Sequence, residues 1–90
     1  MVKTIKEYSI KVEPGNIQHL YLPIDAQVVG IRKTDLGINL IVISEVCIEN
    51  RLRSFQVCLP DSNIFAKKVT YLGNYEDDFL GMLYVVEVIN

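Results

Sequence analysis

Apolar and polar residues alternate along much of this chain, and turn-forming residues interrupt the alternation every eight to twelve positions. That period of two places successive side chains on opposite faces of a strand. The first run, Thr4 to Val12, puts Tyr8, Ile10 and Val12 on one face and Glu7, Ser9 and Lys11 on the other. Pro14-Gly15-Asn16 breaks it. Ile17 to Leu22 follows, with two candidate inner faces, Leu20/Leu22 or Ile17/His19/Tyr21. Pro23-Ile24-Asp25-Ala26 reads as a turn, and Gln27 to Lys33 as a third strand closed by the hairpin connection Thr34-Asp35-Leu36-Gly37.

The second half is less regular. Ile38 to Val46 is apolar at nearly every position, Glu49-Asn50 turns the chain, and Arg51 to Leu59 returns. On that returning strand Arg51, Arg53, Phe55, Val57 and Leu59 share one side. Pro60-Asp61-Ser62-Asn63 is a break, and residues 63–68 are predicted to form one short helical turn capped by Ser62 or Asn63. Val69 to Leu72 is a short extended piece, Gly73 to Asp78 an acidic loop, and Phe79 to Ile89 a long last strand. Six to seven short strands joined mostly by hairpin-length connections predict one all-β domain over residues 1–90. Its architecture would be a small antiparallel barrel or sandwich.

Composition strengthens this reading. The chain holds eleven Ile and eleven Val against two Ala and no Trp, and branched aliphatic side chains suit a pleated surface. Two runs, Ile38 to Ile43 and Leu80 to Val86, are apolar on both faces, more than one face of a small sheet hides. The expectation is a homo-oligomer, most simply a two-fold dimer, with Leu80, Met82, Tyr84, Val86, Val88, Leu40 and Val42 at its interface.

Charge narrows the partners. A net charge of −2 leaves no basic excess for the phosphate contacts that dominate duplex binding, so duplex nucleic acid is disfavoured. The first ten residues, MVKTIKEYSI, alternate and lack the apolar core of a secretory signal. No apolar stretch is long enough to span a bilayer as a helix, so no membrane partner is expected. Cys47 and Cys58 fall near opposite ends of a predicted strand, beyond the roughly 7 Å Cα separation of a disulfide. Two reduced thiols in a cytoplasmic protein are therefore expected.

The chain has few chemical groups in catalytic arrangements. His19 is the single histidine, the cysteines lack the spacing of a zinc site, and no nucleophile motif accompanies a serine. Glu76-Asp77-Asp78 lacks calcium-loop spacing, and the glycines form no phosphate-cradling loop. Neither a metal nor a cofactor is implied, and the chain is read as a non-enzyme. The remaining chemistry is basic and aromatic. Arg51 and Arg53 share a strand face, Lys67 and Lys68 precede Tyr71, and His19 lies beside Tyr21. Guanidinium forks grip phosphate or carboxylate and aromatic faces stack on bases, so these seven residues are candidates for binding a small nucleotide-like anion. An acidic partner protein would suit them equally.

Several short motifs resemble a group of small, mostly phage-encoded proteins of unknown function. They are Lys3-Thr4-Ile5 with Tyr8; Gln18, Leu20, Leu22, Pro23 and Ala26; Arg53 with Phe55; and Tyr71-Leu72-Gly73. The chain departs from that group at Asp25 in place of Gly, at Leu59-Pro60 in place of Thr-Gly, and at Glu87 where His is common. The resemblance implies a bacteriophage or prophage gene acting in the host cytoplasm. The resulting expectation is an oligomeric binding protein that interferes with host defence by holding an anionic ligand or a host protein. The alternative is a virion or assembly accessory whose role is self-association.

Overall fold

The computed structural model describes residues 2–45 and 49–90. Seven strands form in chain order: β1 Lys3–Ile10, β2 Ile17–Pro23, β3 Gln27–Thr34, β4 Gly37–Glu45, β5 Asn50–Cys58, β6 Lys68–Asp77 and β7 Gly81–Ile89. They make two antiparallel sheets, β1-β4-β3 and β2-β5-β7-β6, packed as a sandwich rather than closed as a barrel. Among the described residues there is no helix, so none is long and apolar enough to cross a membrane.

The period of two decides which side chains meet between the layers. Ile38, Leu40 and Val42 of β4 alternate with half-buried neighbours and face Leu22, Phe55, Val57, Leu83 and Val85 of the other sheet. Tyr8, Ile10 and Val12 join this core, as their alternation requires. On β2 the ambiguity resolves in favour of Leu20 and Leu22, which pack inward, while Ile17, His19 and Tyr21 are exposed.

Different contacts seal the two lateral seams. Between β1 and β2, the Gln18 side chain takes the place of a strand partner. Its Nε2 donates to the Lys11 carbonyl at 2.6 Å, and its Oε1 accepts from the Lys11 amide at 2.7 Å. Between β3 and β6, Ile31 lies against Gly73 so closely that a Cβ there would sit 2.9 Å from Ile31 Cγ1.

Three expectations change. The acidic stretch Gly73 to Asp77 is not a loop but the second half of β6, which continues through a bulge between Tyr71 and Gly73. Residues 63–68 form no helical turn. Ile64 and Ala66, two apart in extended chain, instead pack on Cys58, Val86 and Val88 from outside. The segment crosses β7, because β5 and β6 each pair antiparallel with it and so run parallel to one another. Finally, β4 and β5 are not a hairpin: β4 lies between β1 and β3, and β5 between β2 and β7. The joining residues Val46, Cys47 and Ile48 lie outside the described residues, so Cys47 is not placed; Cys58 is free and buried, and burial pushes its thiol pKa up.

The expected interface residues are largely covered by the chain itself. Leu40 and Val42 are wholly buried between the sheets, and Val86 and Val88 lie beneath the crossing segment. Met82 is half-buried, while Leu80 and Tyr84 remain exposed. The outer positions Val86 and Val88 of the last strand are thus covered by Ile64 and Ala66 of the crossing segment.

Candidate functional site

Where the two sheets diverge past the β3–β6 seam, a groove of about 530 Å³ opens at the end of the sandwich that carries the start of β5. Strand register brings its lining together from distant parts of the sequence. Arg51, Leu52, Arg53 and Ser54 come from the start of β5, Lys68 and Thr70 from the start of β6, and Glu87 to Ile89 from the end of β7. Ile24, from the turn closed by the Ala26 amide donating to the Pro23 carbonyl at 2.9 Å, adds an apolar wall.

Arg53 and Glu87 form the floor. Arg53 Nε and Nη2 each donate to the Glu87 carboxylate at 2.6 Å, a bidentate fork, and Nη1 donates to the Ala26 carbonyl at 2.6 Å. The pair retains only 19% and 12% of its side-chain exposure. Hydrogen bonding from Glu87 raises the guanidinium pKa, so this cation is fixed and already matched. A second hollow of about 400 Å³, lined by Gln27 to Val29, Thr70 and Leu72, touches the same pair from the β3 side.

Arg51 and Lys68 differ in kind from Arg53. Both are exposed, both line the groove, and among the described residues neither forms an ion pair. They flank the groove above a half-buried, neutralised pair, with the Thr70 hydroxyl beside them. That arrangement suits an anion that reaches the two cations and lays an apolar part against Ile24 and Ile89.

The other candidates are not part of it. His19 and Tyr21 stand on the outer face of β2, where His19 Nδ1 hydrogen-bonds the Ser54 hydroxyl at 2.8 Å. Tyr71 stands on β6, at the opposite edge of the four-stranded sheet, its hydroxyl bonded to the Asn74 side chain. Lys67 belongs to the crossing segment, where its amide donates to the Ile89 carbonyl at 3.0 Å. Of the seven expected ligand residues, the structure therefore gathers Arg51, Arg53 and Lys68, and Arg53 serves as a structural clamp.

Thr70 and Glu87 were missed from the sequence. Thr70 does carry a readable sign, because it follows Lys68 at the same-face spacing of two. The Arg53–Glu87 pairing spans 34 residues and has no local sign. The remaining charges near the earlier candidates are surface pairs. Arg32 meets Glu7 at 2.8 Å and Lys33 meets Asp78 at 3.5 Å. Among the described residues, no three His, Cys, Asp or Glu side chains come together as a metal site. In comparisons with known proteins, no protein-family model, no curated protein and no solved structure matches this chain.

Proposed function

We propose that the chain is a non-catalytic binding protein that takes a small nucleotide-like anion in the groove between Arg51 and Lys68. The observation that carries this reading is the pairing of two unmatched cations with apolar walls around a groove of about 530 Å³, a size usual for small-molecule sites. The half-buried Arg53–Glu87 fork sets the floor and holds the walls apart without competing for the ligand. With the resemblance to phage-encoded proteins, sequestration of a host signalling nucleotide is the role this chemistry would serve.

Titration calorimetry of the chain against a panel of mono-, di- and cyclic nucleotides at low salt tests it. Each cation-to-phosphate hydrogen bond is worth about 1.5–3 kcal/mol, so Arg51→Ala/Lys68→Ala is expected to weaken binding by at least about a hundredfold. His19→Ala and Tyr71→Phe are expected to bind as the wild type does. Absence of heat with every nucleotide, or equal affinity in Arg51→Ala/Lys68→Ala, refutes the reading.

A further inference from the structure

The opposite end of the sandwich has the converse chemistry. Two hairpin tips meet there, β3–β4 with Asp35-Leu36 and β6–β7 with Asp78-Phe79-Leu80. Leu36 is 99% exposed and Phe79 97% exposed, whereas hairpin turns ordinarily carry Gly, Asn, Asp or Ser. Both residues rim a hollow of about 370 Å³ whose wall includes Val12 and Tyr75. The Phe79 tip is held in shape: Asp77 Oδ1 accepts from the Phe79 amide at 2.9 Å and from the Leu80 amide at 3.0 Å, and Gly81 turns the chain with φ of 79°. Asp35, Asp77 and Asp78 line the same hollow with Lys33, which pairs with Asp78 at 3.5 Å.

We propose that copies of this chain associate head to tail, the acidic Leu36/Phe79 end of one copy seating in the basic Arg51/Lys68 groove of the next. Charge and apolarity match at both ends. Carboxylates face Arg51 and Lys68, while Phe79 and Leu36 meet Ile24 and Ile89, which are 49% and 48% exposed. A rim of opposite charges around exposed apolar anchors is the arrangement that fixes register and speeds encounter.

Because the two ends are different surfaces, the contact is heterologous and builds a ring or an open chain. The two-fold dimer expected from the apolar strands would instead be isologous. The inference uses the groove as a recognition site and does not depend on a nucleotide occupying it, although an anionic ligand would compete with the neighbouring tip.

Sedimentation velocity on the full chain over a concentration series tests the association. The expected result is a mass that grows beyond the dimer with concentration and falls as salt is added. Leu36→Asp/Phe79→Asp loses the tip and Arg51→Glu/Lys68→Glu loses the groove; all four residues are exposed, and circular dichroism checks that both variants fold. Each alone is expected to be monomeric. An equimolar mixture is expected to form a dimer that grows no further, since one variant keeps a working groove and the other a working tip. A wild type that stays monomeric, a variant that still assembles, or a mixture that stays monomeric overturns the proposal. Calorimetry with nucleotides on Leu36→Asp/Phe79→Asp separates the two readings, because that variant keeps the groove: binding retained without assembly leaves the ligand site standing alone.

Discussion

Arg53 decides whether the groove's floor is structural or a ligand contact, and a double-mutant cycle with Glu87 measures it. The two side chains share two hydrogen bonds of 2.6 Å and keep 19% and 12% of their exposure. Removing one partner of a fully buried pair costs about 3–5 kcal/mol, because the remaining charge is left desolvated and unmatched. With the residual exposure seen here, about 2–3 kcal/mol is the reasonable figure for Glu87→Met or Arg53→Met alone. In a domain of this size that lowers Tm by about 8–24 °C. Arg53→Met/Glu87→Met leaves neither charge behind and places two flexible apolar side chains in the seam. Its cost should fall short of the sum of the singles by at least about 1.5 kcal/mol. Equilibrium urea unfolding followed by far-ultraviolet circular dichroism is the suitable assay, since the chain has no Trp. Single costs that add to within about 0.5 kcal/mol would show that the fork contributes no coupling and would refute its role as a clamp. Glu87→Gln adds a second readout: it unmatches Arg53 inside the groove, so anion affinity should rise while stability falls.

Two further perturbations probe the ends of the β3–β6 seam. Gly73→Ala places a Cβ 2.9 Å from Ile31 Cγ1 and 3.1 Å from its Cδ1. The nearer atom moves by χ1 rotation, which β-branching restricts, so a loss of about 1–3 kcal/mol is expected in thermal melts. Adding Ile31→Ala should make the combined cost smaller than the sum. At the tip, the amides of Phe79 and Leu80 hold the Asp77 carboxyl pKa below its ordinary value. A depressed folded-state pKa contributes stability that is fully present above the ordinary aspartate value near about 4 and is lost as pH falls through the folded value. The Tm difference between wild type and Asp77→Ala should therefore be full near about pH 5 and shrink steadily toward about pH 2. A difference independent of pH would mean that the turn does not rely on the charge.

What could be read from the sequence depended on whether one residue's neighbours carried the information. Alternation in β1 identified its inner face, because a half-buried strand repeats every two residues whatever it packs against. β6 was opaque: Gly73 and the polar residues around it match loop chemistry, and only Ile31 and β7 make that stretch a strand. The stretch 63–68 misled for the opposite reason, since Ser62 and Asn63 are good caps for a helix that Ile64 and Ala66 have no need to form. The spacing of Arg51 and Arg53 correctly placed them on one face, but that face turned inward, and the carboxylate that makes this tolerable comes 34 residues later. Lys68 reached Arg51 only through the crossing of β7.

The residues that carry the functional inferences were visible as local violations. Leu36 and Phe79 occupy hairpin tips where a polar or flexible residue would cost nothing and keep the surface soluble. Among the described residues, Arg51 and Lys68 form no ion pair, although the chain is acidic. Core residues such as Leu40 or Phe55 satisfy every local rule and therefore report on folding alone. An apolar side chain that the fold leaves in water has no stabilising role within one copy, and the same chain supplies, at its other end, the charge and the apolar walls that would cover it.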